Sequence, residues 1–246
     1  MRTPQELEAA LKAQDGGPTF FNNDQFPWTR VVESEWAQIR AEADRVLAAL
    51  DLVPGIEELQ VEQLGLTTDK RWKVFPFYAY GHWAQGNVRR CPATARAIQA
   101  IPTLQAAMYS VFEPKKSLPV HRGVYGGMLR YHMGIRVPKP ETQCGIQVGG
   151  DTRHWREGEG MVFDDSHPHK AWNDSSEPRV ILLADFTRPV IPALRALNDR
   201  VIVELQSSDY VLSAVRRWNE WEAVHGKRFD EALNEAGTRL RATPDA

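Results

Sequence analysis

Seven histidines occur in the chain, and five of them, His121, His132, His154, His167 and His169, crowd between positions 121 and 169. No structural role asks for that density, and neutral imidazole is the commonest metal ligand among side chains. Imidazoles on one face of an ion leave its other positions open for a small carboxylate co-substrate and dioxygen, as a non-haem iron oxygenase needs. Such a site also needs a fixed cation for the far carboxylate. Arg179 follows His169 by ten residues, across what reads as a hairpin from KAWN through the turn DSSEP to RVILLADF. This spacing predicts His169 and Arg179 on the inward faces of neighbouring strands. There a guanidinium offers a carboxylate the bidentate fork that lysine lacks. His121, 48 residues before His169, reads as a second ligand from an opposing sheet. Within DSHPHKAW, His167 and His169 compete for the ligand's role. A lone histidine or strand arginine is ordinarily a core or surface residue; the clustering and the ten-residue offset weigh against that here.

The elements that must position these side chains are short apolar runs: MYSVFE, GMLRYHMGIRV, CGIQVG, GMVF, KAWN and RVILLADF, parted by Gly, Pro, Asp and Asn. Closely spaced strands with turn residues between them predict a sandwich or barrel, not a parallel α/β sheet. On GMLRYHMGIRV, the two-residue period puts Arg130 and His132 on one face, as a polar cavity lining would be. Upstream, WKVFPFYAY reads as a strand interrupted at Pro76. The apolar spacing of residues 33–50 predicts a core-facing helix, and CPATARAIQAI one that starts at its proline. A short amphipathic helix is expected over residues 1–12, and Trp28 lies in an aromatic segment able to reach over a site's mouth. After Pro189 three helices are expected, in IPALRALNDRVIVELQ, DYVLSAVRRWNEWEAV and FDEALNEAGTRL.

A length of 246 residues with 42% hydrophobic content suits one domain with a large core. The net charge of −2 supplies no field to draw nucleic acid or an anionic membrane. Cys91 and Cys144 belong to no CxxC pair and read as reduced structural thiols, which predicts a cytoplasmic setting. No apolar run reaches the roughly 18 residues of a membrane span, and MRTPQELEAALK is too acidic for a signal segment.

The stretch LPVHRGVYGGMLRYHMGIRVP, followed by WREGEGMVFDDSHPHKAWN and RVILLAD, resembles the aspartyl/asparaginyl β-hydroxylase family. Its nearest-looking branch is the bacterial lipid A acyl-chain 2-hydroxylases. The similarity is dense over about residues 106–190 and looser from FFNNDQFPW to near Trp221. It implies a mainly β fold with flanking helices around a double-stranded β-helix (jelly-roll, cupin-like) core. One domain would divide into a support at 1–105, a β core at 106–190 and C-terminal helices at 191–246. The family holds iron with two histidines, without the carboxylate that most 2-oxoglutarate oxygenases carry two residues after the first, and Gly123 stands at that place.

Position by position, the resemblance implies that His121 and His169 bind iron(II), its register selecting His169 over His167. Arg130 and His132 would contact the metal-proximal end of 2-oxoglutarate, and Arg179 and Ser110 its distal carboxylate. Asp165 would orient iron-bound water, with direct coordination as the alternative. The implied activity is hydroxylation of an unactivated C–H bond with iron(II), 2-oxoglutarate and dioxygen, on the 2-position of a lipid acyl chain. An acyl-lipid substrate would bring peripheral membrane contact. The rivals are β-hydroxylation of an aspartyl, asparaginyl or other amino-acid unit, a non-catalytic cupin-like binding module, and a zinc hydrolase, which two histidines serve poorly.

Overall fold

A computed structural model describes residues 4–242. Its strands are β1 (Trp72–Ala79), β2 (His82–Trp83), β3 (Leu104–Phe112), β4 (Lys116–His121), β5 (Met128–Arg136), β6 (Cys144–Val148), β7 (Asp151–His154), β8 (Gly160–Phe163), β9 (His169–Asn173) and β10 (Arg179–Thr187). They pair antiparallel into a six-stranded sheet, β2-β1-β3-β10-β5-β8, and a four-stranded sheet, β4-β9-β6-β7. The two face one another as a double-stranded β-helix. β4 and β7, which the residues alone did not reveal as strands, are the small sheet's edges. Pro119 and the exposed run of β7 suit an edge, where no neighbour needs the missing N–H.

The two-residue period sorts every strand of the large sheet. On β10, Ile181 and Leu183 turn inward onto Cys144, Ile146, Trp155 and Phe163 between the sheets. Val180, Leu182 and Ala184 turn outward into a larger aromatic core with Phe75, Phe77 and Tyr109. Helices α2 (Trp28–Ser34), α3 (Trp36–Leu47), α4 (Ile56–Leu59), α6 (Pro92–Ile98) and α8 (Asp209–Ala242) contribute to that outer core and α5 (Gln85–Arg90) packs against β1, while α1 (Pro4–Ala13) and α7 (Pro192–Gln206) pack in a third cluster with Tyr80, Tyr125 and Met128. Trp28 packs edge-on against Tyr131 and Phe186, at centroid distances of 5.1 Å each, so it belongs to the outer core and does not reach over the site. Cys91 and Cys144 are unpaired and buried. Among the described residues no helix is long and apolar enough to cross a membrane.

Four expectations are corrected. The helix expected over 33–50 is broken at Glu35 between α2 and α3, and Leu50 falls in a separate 3-10 turn. The last two expected helices are one, α8, which runs through Gly226. The DSSEP segment does not close a hairpin: β9 pairs with β4 and β6, β10 with β3 and β5. The chain crosses between sheets there, tied down by Asn173, whose Nδ2 donates to the carbonyls of Phe112, Glu113 and Glu177. His121 accordingly does not come from a sheet opposing His169; their strands are neighbours.

Candidate active site

Beside one another in the small sheet, β4 and β9 set His121 opposite His169 in register. The ring centroids lie 4.1 Å apart at an interplanar angle of 54°. Each Nδ1 meets a carbonyl two residues upstream: His121 donates to Pro119 O at 2.8 Å and His169 to His167 O at 3.0 Å. A carbonyl only accepts, so the proton resides on Nδ1 and both Nε2 atoms present lone pairs. Burial lowers the proton affinity of both rings, and for His169 the adjacent His121 adds to it, pushing the value down to about 3. Two neutral, fixed imidazoles therefore stand ready for a metal. His167 contributes its backbone carbonyl; its ring turns to Asp164, 3.8 Å away.

The large sheet faces this pair. Ser110 on β3, Arg130 and His132 on β5, and Arg179 on β10 line a cavity of about 370 Å³ together with His121 and His169. Arg179 is 1% exposed, and its guanidinium carbon sits 3.9 Å from the Phe112 ring centre and 4.5 Å from that of Trp155. Its Nε and Nη1, both ring nitrogens of His132 and Trp155 Nε1 are buried without a hydrogen-bond partner. Buried polar groups are ordinarily satisfied, so an unpaired cation, two unpaired ring nitrogens and an indole N–H around one cavity match a bound carboxylate. Burial pushes Arg179 down to about 9, still protonated at neutral pH. His132 is driven well below its ordinary range by burial, then by Arg130 and Arg179, and is neutral. Ser110 Oγ accepts from Trp72 Nε1 at 3.0 Å.

Arg130 is held differently. Its Nε and Nη2 donate to the two carboxylate oxygens of Asp185 at 2.7 and 2.8 Å, and its Nη1 lies 3.0 Å from Asp165 Oδ2. Asp165 is buried, and desolvation outweighs the pull of Arg130, raising its carboxyl to about 6. The Gly123 N–H donates to Asp165 O at 2.7 Å, and a Cβ on Gly123 would lie 2.2 Å from Asp165 Oδ2. The carboxylate thus fills the space that a side chain at 123 would take. Among the described residues no group of three or more His, Cys, Asp or Glu side chains is placed to hold a metal ion, so the expected site rests on the histidine pair.

Asp165, His121 and Arg130 also line an adjoining cavity of about 940 Å³. The structure therefore brings all seven expected residues around two spaces that share His121 and Arg130 in their walls. It adds Asp185, Asp164 and the aromatic bracket of Phe112 and Trp155. Asp185 was within reach of the two-residue period, since positions 179, 181, 183 and 185 share a face. Asp164 was not, because its role is to accept from Ser166 N at 3.0 Å and Arg188 Nη1 at 2.8 Å, the latter a long-range partner.

Comparison with known proteins adds an independent finding. A family model described as aspartyl/asparaginyl β-hydroxylase matches residues 33–189. An ornithine lipid ester-linked acyl 2-hydroxylase of Rhizobium tropici is 36% identical over 210 residues, covering 85% of this chain and 75% of that protein. The aspartyl/asparaginyl β-hydroxylase of Homo sapiens is 29% identical over 163 residues, 64% of this chain but 21% of that protein. Among solved structures, the Cnp3 cupin domain of Schizosaccharomyces pombe aligns with a TM-score of 0.35 at 10% identity, over 57% of this chain and 76% of that one.

Proposed function

The chain belongs to the aspartyl/asparaginyl β-hydroxylase family, and from that premise we propose that it is an iron(II)- and 2-oxoglutarate-dependent hydroxylase of lipid acyl chains, acting beside the carbonyl. The observation that carries the reading is Arg179, a buried cation with no protein carboxylate, across the cavity from two imidazoles with free Nε2 atoms. Iron(II) with 2-oxoglutarate and dioxygen supplies the oxidising power, one oxygen atom ending in the product hydroxyl as the co-substrate is converted to succinate and carbon dioxide.

The chain's own residues bind, orient and shield. His121 and His169 hold the metal through Nε2. Arg179 takes the distal carboxylate in a bidentate fork, with Ser110 Oγ beside it. His132 and Arg130 face the metal-proximal end. Asp185 fixes the Arg130 guanidinium from one side, leaving Nη1 to the Asp165 carboxylate, which would accept a hydrogen bond from water on a bound metal. Trp155, Phe163 and Leu183 keep the cavity dry, which strengthens each of these contacts. An acyl substrate is favoured because the relative similar over three-quarters of its own length is named an acyl 2-hydroxylase, whereas the chain spans a fifth of the human protein.

The test is anaerobic addition of iron(II) and 2-oxoglutarate, reading the visible metal-to-ligand charge-transfer band. The band is expected in the wild type and lost or weakened in His169→Ala and Arg179→Ala. Its absence from the wild type sinks the oxygenase reading and returns the chain to a binding module.

A further inference from the structure

Between α4, β1 and α8 runs a groove with about 590 Å³ of free space, part of it open to solvent. Val74, Trp83, Val215 and Trp218 are among its walls, and no Asp, Glu, Lys or Arg lines it. The groove is not isolated. Ile56, Gln60, Ala79, Met108 and Ala214 line both it and the 940 Å³ cavity that reaches His121, Arg130 and Asp165. A mostly apolar space without Asp, Glu, Lys or Arg thus shares a wall with the cavity that His121 lines. The same large cavity is also lined by the polar side chains of Gln63 and Arg122, which do not line the groove.

We propose that this groove seats the hydrocarbon tail of the substrate acyl chain, with its carbonyl and headgroup toward Arg122 and Gln63 and its second carbon beside His121 and His169. The proposal rests on the reading of those histidines as the iron site, and it names what that reading leaves open, the subsite that selects an acyl chain over a polar amino-acid unit. A charged aspartyl unit would find no Lys or Arg partner along these walls, whose polar members are Gln60, His82 and Asn219 among mostly apolar side chains. A chain running from the histidines into the groove would pass Ala79, Met108 and Ala214, which line both spaces, so the small side chains of Ala79 and Ala214 would set its bore. Both are only partly buried, so larger side chains there enter the groove without repacking the core.

Trp83 and Trp218 in the walls allow the groove to be read without turnover. The probe is octadecanoate dibrominated at mid-chain, kept below its aggregation threshold, whose bromines quench indole emission on contact. The expected result is saturable quenching of the wild type, relieved by unbrominated octadecanoate. Octanoate should compete at least about tenfold more weakly, since each buried methylene strengthens binding by roughly fourfold. Ala214→Phe and Ala79→Leu should each weaken the quenching by about tenfold or more, while melting as the wild type does and keeping its iron and 2-oxoglutarate band. Equal quenching in wild type and both variants, or octanoate competing as well as octadecanoate, overturns the groove. A missing band in a wild type that is quenched as expected overturns the iron reading and leaves the groove standing.

Discussion

Arg179 concentrates the energetic argument at the scale of single residues. A buried, unpaired guanidinium is a cost to the fold, which the flanking rings of Phe112 and Trp155 offset only in part. Arg179→Met should therefore stabilise the protein without co-substrate, by about 1–2 kcal/mol in urea unfolding, and abolish 2-oxoglutarate binding. A destabilised Arg179→Met would mean that the guanidinium already has its counterpart within the fold. Arg179→Lys keeps the charge and loses the fork. Titration of the visible band should show 2-oxoglutarate affinity falling by about 10- to 100-fold, the worth of roughly one charged hydrogen bond; unchanged affinity would place the distal carboxylate elsewhere. The histidine cluster and the arginine opening an apolar strand were legible from residue types and spacing, whereas Ser110, Asp165 and the assignment of roles came from the family resemblance. Residue chemistry by itself left the choice between His167 and His169 open, and it was the family register that selected His169. Both carry the same chemistry, and in the structure the pairing of β9 with β4 sets His169 opposite His121.

At the scale of elements, the two-residue period fixed which residues share a face, as with Arg130 and His132, but said nothing about which sheet a strand joins. Sheet membership is set by non-local pairing, so DSSEP passed for a tight turn when the side chain of Asn173 in fact makes a corner between sheets. The turn carrying Asp165 shows a similar dependence on distant partners. Asp164, beside it, is fully buried and paired with Arg188, itself fully buried, which also donates to Gly126 O and reaches Asp15. Asp164→Ala leaves that guanidinium with the half-exposed Asp15 as its one carboxylate partner. The expected cost is about 3–5 kcal/mol in chemical denaturation. Because the same turn delivers Asp165 to Arg130, the visible band should weaken in whatever protein remains folded. A loss below about 1 kcal/mol would show that Asp15 and Gly126 suffice to hold Arg188.

Across the whole molecule, α8 is the element that closes the groove onto the sheet, and its continuity through Gly226 was hidden for a physical reason. Glycine in a helix interior ordinarily weakens it by about 1 kcal/mol, so the residues after His225 read as a new helix. The compensation comes from α5. Arg90, with 5% of its side chain exposed, donates to Glu222 at 2.6 and 2.8 Å, to Asp230 at 2.7 Å and to the Gly226 carbonyl at 3.2 Å. A Cβ on Gly226 would lie 2.8 Å from Glu222 Oε1, crowding the carboxylate that Arg90 holds. One arginine on α5 therefore grips both halves of α8 across the point where the helix is weakest. The two ends of this grip are unequal in burial, and so should be the cost of cutting it. Arg90→Met releases Glu222 and Asp230, whose side chains are 27% and 54% exposed, to water, and an apolar side chain takes the vacated space. Its expected cost is about 1 kcal/mol or less. Glu222→Ala instead leaves a buried cation with only Asp230, the Asn87 side chain and a carbonyl. Its expected cost is about 2–3 kcal/mol, a fall in melting temperature of roughly 4–12 °C for a chain of this size. Neither residue lines the two cavities of the candidate site, so the iron and 2-oxoglutarate band of the folded protein should be unchanged in both variants. If Arg90→Met proves the more damaging, the hold on α8 lies in the packing of the guanidinium over the Phe229 ring, 5.4 Å below it, and not in the charges.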